Sequence, residues 1–150
     1  MKAPRWLLPA MLLPLAMPLQ AADGLVTVPS PLASRAAMDK LEAAVKERGL
    51  TVLARIDHAA GAAKIGKSLR PTEVLIFGNA QGGTPQMECA QSIGIDLPLK
   101  ALVWTDTNGR TWVSYNDPVF LAQRHGVPDC PAAGNLRQVL SRLIDAAVAP

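Results

Sequence analysis

Two β-rich runs, Lys100–Thr105 and Arg110–Tyr115, flank a turn that contains Asn108-Gly109. Asn-Gly accepts the positive φ of tight hairpin turns at little cost, which makes it the strongest short-range hairpin signal. The two runs are therefore antiparallel neighbours, and any sheet built around them is at least partly antiparallel. With the turn on Asn108-Gly109 alone, alternation puts Leu102, Trp104, Val113 and Tyr115 on one face and Val103, Thr105, Trp112 and Ser114 on the other. Each face then carries a tryptophan and a valine. A sheet with helices on only one side needs a polar outer face unless that face meets something. The surface near Trp112 is thus expected to lie under a loop or the short 118–126 helix, or to meet a second copy of the chain or an apolar ligand.

The rest of the chain supplies strands and helices in a legible order. Gly24 to Val28 reads as a first strand, and Ser30-Pro31 offers an N-cap followed by proline at the first helical position. Met38, Leu41 and Val45 then form an apolar stripe at helical spacing, closed by Gly49. In Thr51–Ile56, Val52, Ala54 and Ile56 would share a face; Glu73–Phe77 is a strongly apolar strand. A loop from Gly78 to Gly83 leads to a helix start at Thr84-Pro85. Asp117-Pro118 caps a short helix that stops at Gly126. Asn135 with Gln138 resembles a capping box opening a last helix, with Leu136, Val139, Leu140 and Leu143 as its buried stripe. The fold class is α+β: an antiparallel sheet with helices on one face, in the order β-α-β-β-β-β-α with short helical insertions.

The N-terminus predicts export. Lys2 and Arg5 precede an apolar stretch from Trp6 to Leu19, and Gln20-Ala21-Ala22-Asp23 introduces small and polar residues. That is the order of a cleavable signal peptide over residues 1–22, leaving one domain over 23–150 in the periplasm or outside the cell. The stretch is short for a bilayer span, and prolines interrupt it. No later stretch has spanning length, so no membrane role is expected once the signal is removed. Thirteen basic and twelve acidic side chains remain in the mature part, without a basic cluster. Nucleic-acid binding has no electrostatic footprint in such a pattern. Cys89 and Cys130 both belong to the exported part, where an isolated pair is most simply a disulfide. Free thiols and metal ligation are the alternatives, and no CxxC motif favours the latter.

Asp57-His58 after a strand, Phe77-Gly78-Asn79, Asp96-Leu97-Pro98 and Tyr115-Asn116-Asp117-Pro118 form a series. Together they resemble the family catalogued as domain of unknown function 302, from about Gly24 to Gly126. The resemblance implies a sheet of the TATA-binding-protein-like type and implies no activity. The chain departs from the family pattern at Ala80, where proline is usual.

Three places could carry chemistry. Asp57 fits as an N-cap, and His58 is either a hydrogen-bonded core histidine or a proton-transfer group. The loop residues Gly78, Asn79, Gly82, Gly83 and Thr84 either make a tight strand-to-helix connection or converge backbone N–H groups on an anion. Asp96 is turn chemistry or a further acid. No metal or cofactor motif is present; Met87, Glu88 and Cys89 with His58 would be a soft metal site only if the fold gathered them. The favoured reading is a non-enzymatic binding or interaction module that uses its sheet face, where an apolar ligand or second copy would sit, or the edge formed by His58 and the Gly78–Thr84 loop; the latter two would share one pocket for an anionic ligand if their strands run parallel, and lie at opposite ends of the sheet if they pair antiparallel. Its rivals are a small periplasmic enzyme with His58 as acid/base and Asp57 or Asp96 as partner, and a metal- or redox-handling protein.

The export reading has a direct check. Protein recovered from the export compartment should begin near Ala22 or Asp23 by N-terminal sequencing; a soluble product that retains Met1 would refute it.

Overall fold

The computed structural model describes residues 22–150, so the expected signal segment lies outside the described residues apart from Ala22. Five strands and five helices follow in order: β1 (Leu25–Ser30), α1 (Ser34–Glu47), β2 (Thr51–Asp57), α2 (His58–Lys64), β3 (Thr72–Gly78), α3 (Ala80–Cys89), a 3-10 turn (Gln91–Ile95), β4 (Leu99–Thr105), β5 (Thr111–Asn116), α4 (Pro118–Arg124) and α5 (Pro131–Val148). The strands make a single antiparallel sheet in the order β1-β5-β4-β3-β2. This is the expected α+β class with the expected element order.

The core lies between one sheet face and the helices α1 and α5. Met38, Leu41 and Val45 of α1 and Leu140, Leu143 and Ile144 of α5 pack on Leu75, Phe77, Val103, Val113 and Tyr115. Alternation explains the choice of strand residues, since every second side chain faces the helices. α1 ends as its sequence predicts. Gly49 takes φ +69°, its N–H bonds Lys46 O, and the N–H of Leu50 bonds Val45 O, a Schellman closure that a left-handed glycine permits. α1 begins later than Ser30, because Ser30 still pairs with Thr111 at the end of β1. Pro29 is tolerated there because β1 is an edge strand. Gly24 has no room for a side chain: the Phe120 ring stands 2.0 Å from where a Cβ would be.

The hairpin corrects the expected faces. Thr105 pairs with Thr111 and Trp104 with Trp112, so the connection is Asp106–Arg110 rather than Asn108-Gly109 alone. The N–H of Asp106 bonds Arg110 O, the N–H of Gly109 bonds Asp106 O, and Gly109 takes φ +78°. Such a longer loop with a left-handed glycine shifts the pairing by one residue, and a one-residue shift moves every side chain of one strand to the other face. Val103, Val113 and Tyr115 therefore face the core, while Leu102, Trp104, Trp112 and Ser114 all lie on the outer face. The two indoles stack with centroids 6.3 Å apart.

A second shift falls in β2, where a bulge between Val52 and Ala54 breaks the expected common face. Val52 stays with the core, Ala54 and Ile56 turn outward, and Arg55 turns to the helix side. There its guanidinium meets Glu73 at 2.5 Å, Asp39 at 2.6 Å and Glu42 at 3.1 Å. The Glu73 hydrogen bonds, ahead of the others, raise the pKa of Arg55.

Cys89 at the end of α3 and Cys130 just before α5 are joined, with Cα atoms 5.9 Å apart. Around them pack Ala122, Ala133, Val119 and Val127, a small second core. The bond closes a separation of 41 residues, worth about 4 kcal/mol in the chain-entropy model. Reduction, or Cys89→Ser with Cys130→Ser, should lower the free energy of unfolding by an amount of that order, seen as a fall in the denaturant midpoint. An unchanged midpoint would show that the bond contributes nothing to the folded state.

Candidate functional site

α3 starts one turn before the expected Thr84-Pro85. Asn79 is its N-cap, with Oδ1 accepting from the N–H of Gly82 at 2.9 Å. Gly82 and Gly83 are thus helical residues and not an open anion-binding loop. Ala80 stands at the first helical position, where a proline would also fit. α5 likewise begins at Pro131 and not at Asn135. Its first turns lie beside α3, and the gap between the two helices is a groove of about 750 Å³.

The groove is mostly apolar. The end of β3 and the start of α3 contribute the Gly78–Pro85 segment, with Met87 further along α3; α5 contributes Leu136, Val139 and Leu140, the strands Leu53 and Phe77, and the loop before β4 Leu97. Gly78, Asn79, Gly82, Gly83 and Thr84 all line it, so the loop named from the sequence does border a cavity. Val139, expected in the core stripe, is 49% exposed and lines the groove, as does Leu53 at 56%. Gln86 also lines it and is only 3% exposed. Among the described residues no fully buried side-chain nitrogen or oxygen lacks a hydrogen-bond partner, so Gln86 lines the groove without an orphaned polar atom. The size falls within the range of small-molecule sites, which pair an apolar lining with a few polar groups.

His58 does not join this groove. β2 and β3 run antiparallel, with Asp57 opposite Glu73 and Thr51 opposite Gly78. His58 follows the end of β2, and Gly78 ends β3, so the two lie at opposite ends of the sheet, about 20 Å apart along the strand by rise per residue. The shared pocket for an anion is therefore overturned. His58 is exposed at the first position of α2, and so is not the core histidine considered above. Asp57 caps that helix, accepting from the N–H of Ala60 at 2.8 Å.

Asp96 finds a different histidine. Its Oδ2 lies 2.7 Å from Nε2 of His125, whose Nδ1 lies 2.8 Å from Oγ of Ser92. A carboxylate accepts from Nε2–H, and in that tautomer of the neutral ring Nδ1 accepts from the Ser92 hydroxyl. Arg124 adds a contact to Asp96 at 3.2 Å. Three local devices bring the groups together. Asp96 ends the 3-10 turn that carries Ser92, and His125 is the C-cap of α4, held by the left-handed Gly126 that follows. The side chains of His125 and Asp96 are 10% and 13% exposed, whereas Ser92 is exposed. Hydroxyl, imidazole and carboxylate thus stand in line, with the two ring nitrogens exchanged relative to the acyl-transfer triad, in which Nε2 faces the serine and Nδ1 the carboxylate. Sequence reasoning reached Asp96 and missed its partners, because 29 residues separate Asp96 from His125.

Among the described residues, no group of three or more His, Cys, Asp or Glu is arranged to hold a metal ion. Cys89, one member of the soft site considered from the sequence, is occupied by its bond to Cys130.

Comparison with known proteins adds the lineage. The chain is similar to an uncharacterized conserved DUF302 protein from Bacillus stearothermophilus, with a TM-score of 0.76 and 22% identity over 84% of this chain and 99% of that one. It is also similar to the fluoride-specific ion channel FluC 1 of Brucella suis and of Brucella abortus, each 46% identical over 105 residues, or 70% of this chain. It spans only 41% and 39% of the length of those two relatives. No helix among the described residues is long and apolar enough to cross a membrane. A model of the family described as "Domain of unknown function DUF302" matches residues 26–147. With nearly the whole described domain matched, this chain belongs to the DUF302 family.

Proposed function

We propose that this protein is an exported binding module that holds an elongated apolar small molecule in the groove between α3 and α5. The observation that carries this reading is the groove itself: about 750 Å³, mostly apolar, with the amide of Gln86 on its wall. Exposed Leu53 and Val139 give an incoming chain apolar contact at the mouth. Each methylene moved from water onto such a surface contributes about 0.8 kcal/mol. The amide of Gln86 suits a single carbonyl or carboxyl group on an otherwise hydrocarbon ligand. Channel activity is no part of this reading, since the shared segment is the smaller part of the Brucella proteins.

Titration with the linear fluorescent fatty acid cis-parinaric acid tests this. Saturable one-to-one binding is expected. Val139→Trp, which plugs the groove from an exposed helix position, should weaken it by about tenfold or more, roughly 1.4 kcal/mol. Absence of saturable binding, or a Val139→Trp protein that binds as the parent does, would remove the proposal.

The hydrogen-bonded chain Ser92–His125–Asp96 favours a second reading, a small hydrolase acting on esters. Ser92 Oγ would attack an acyl carbonyl while its proton passes to Nδ1 of His125. The imidazolium, steadied by Asp96, would return that proton to the departing alkoxide, and water would then release the acyl group by the same route. The same bonds also tie the 3-10 turn to α4, so geometry alone serves either role. A fluorophosphonate probe separates them. A hydrolase should be labelled on Ser92, with labelling slowed about a hundredfold or more in His125→Gln. Failure to label Ser92 in the folded protein leaves the tie as a structural one.

A further inference from the structure

We infer that the outer face of the sheet is the interface of a homodimer, in which two copies pack sheet against sheet about a two-fold axis. The register places Val74, Ile76, Leu102, Trp104, Trp112 and Leu25 on the side opposite α1 and α5. A shallow depression of about 330 Å³ beside Trp104 runs from Leu25 to Val74.

Three observations favour a second copy as the occupant. The first is how the polar atoms of the face are paired. Trp104 Nε1–H donates to Ser114 Oγ at 2.9 Å, and the Thr27 hydroxyl lies 2.9 Å from that same oxygen. Trp112 Nε1–H donates to Asp106 Oδ2 at 2.9 Å. Both indole donors are thus satisfied within the protomer, and a partner can cover the rings without leaving either donor unpaired. A partner that recognised the face through hydrogen bonds would need those donors.

The second observation is charge. Lys100, on the same face by register, turns its ammonium back onto the carbonyls of Asp96 and Pro98 at 2.9 Å each. Arg110 and Asp106 pair with each other at the turn, with the guanidinium 5.2 Å from the centre of the Trp112 ring. Carbonyl partners hold the Lys100 ammonium but leave its charge, so each copy brings one cation to the face and no wider field of one sign to oppose an isologous contact.

The third is size. Five strands spaced about 4.8 Å apart and about 20 Å long make a footprint near 480 Å² before side-chain relief is added. With relief, that approaches the roughly 800 Å² per partner of a standard stable interface. A flat face of that extent suits a second sheet packed about 10 Å away better than a small molecule.

The chain has three tryptophans, Trp6, Trp104 and Trp112. In protein lacking residues 1–22, the two that remain both lie on this face, so indole emission reports on it alone. Mature protein at micromolar concentration should sediment as a species of twice the chain mass. On dilution, the mass should fall and the emission move to the red together. Ile76→Glu should weaken association by about tenfold or more while retaining the far-ultraviolet circular dichroism of the parent. Leu102→Lys provides a second disruption should Ile76→Glu not fold, and Gln138→Glu on exposed α5 should change nothing. A monomer across the whole concentration range would overturn the inference. So would a dimer indifferent to both face variants, or full-length chain in which residues 1–22 alone shield the tryptophans.

Discussion

The carboxylate of Asp106 decides more of this structure than any other side chain. It accepts from the backbone N–H groups of Asn108 and Arg110 at 2.8 and 2.9 Å and from the indole N–H of Trp112 at 2.9 Å. The Trp112 bond first, then the backbone of Arg110, holds its pKa down at about 2. This one group shapes the turn, and the turn fixes which residue of β5 faces which residue of β4. From that register follow the core placement of Val113 and Tyr115 and the gathering of both tryptophans outside. Had the turn been two residues long, one tryptophan would have been driven inward and a valine outward. The division of the molecule into a helix-covered side and a bare side thus rests on a five-residue loop.

The element order was readable because periodicity, caps and left-handed glycines all operate locally. Met38, Leu41 and Val45 declare their helix, Gly49 its end, and Asp117-Pro118 another start. What escaped was whatever depended on counting across space. The bulge in β2 has no signature in Thr51–Asp57, since it answers to pairing with β3. Its result, Arg55 among three carboxylates, could not be read from a residue that alternation assigned to solvent. The loop glycines misled for a different reason. Gly82 and Gly83 look like breakers, yet the cap provided by Asn79 and the packing of α3 beside α5 override their poor helix propensity.

The candidate site was legible in part, and along the same divide. The Gly78–Thr84 segment drew attention as a glycine-rich connection between a strand and a helix start, and it borders the groove as a helix N-terminus rather than as an anion loop. The opposite wall, Leu136 and Val139 of α5, reads in sequence as core stripe and becomes groove lining because that side of α5 meets α3 rather than the sheet. His58 drew attention for its chemistry and proved remote, while His125 stood unremarked at a helix end. Antiparallel pairing is the physical reason: it sends the ends of successive strands to opposite edges, so two residues that each follow a strand are kept apart.

The groove and the disulfide have a joint consequence. Cys89 closes α3 and Cys130 opens α5, and these are the two helices between which the groove lies. The sulfur bridge is a covalent hinge pin at one end of the cleft, and it limits how far the walls can part. Without the bridge the sheet and its main core would keep their own contacts, but the cleft would lose that fixed spacing. On the proposed reading, the capacity to hold a guest would be tied to the oxidation state of the surroundings, and oxidised and reduced chains would not be equivalent receptors.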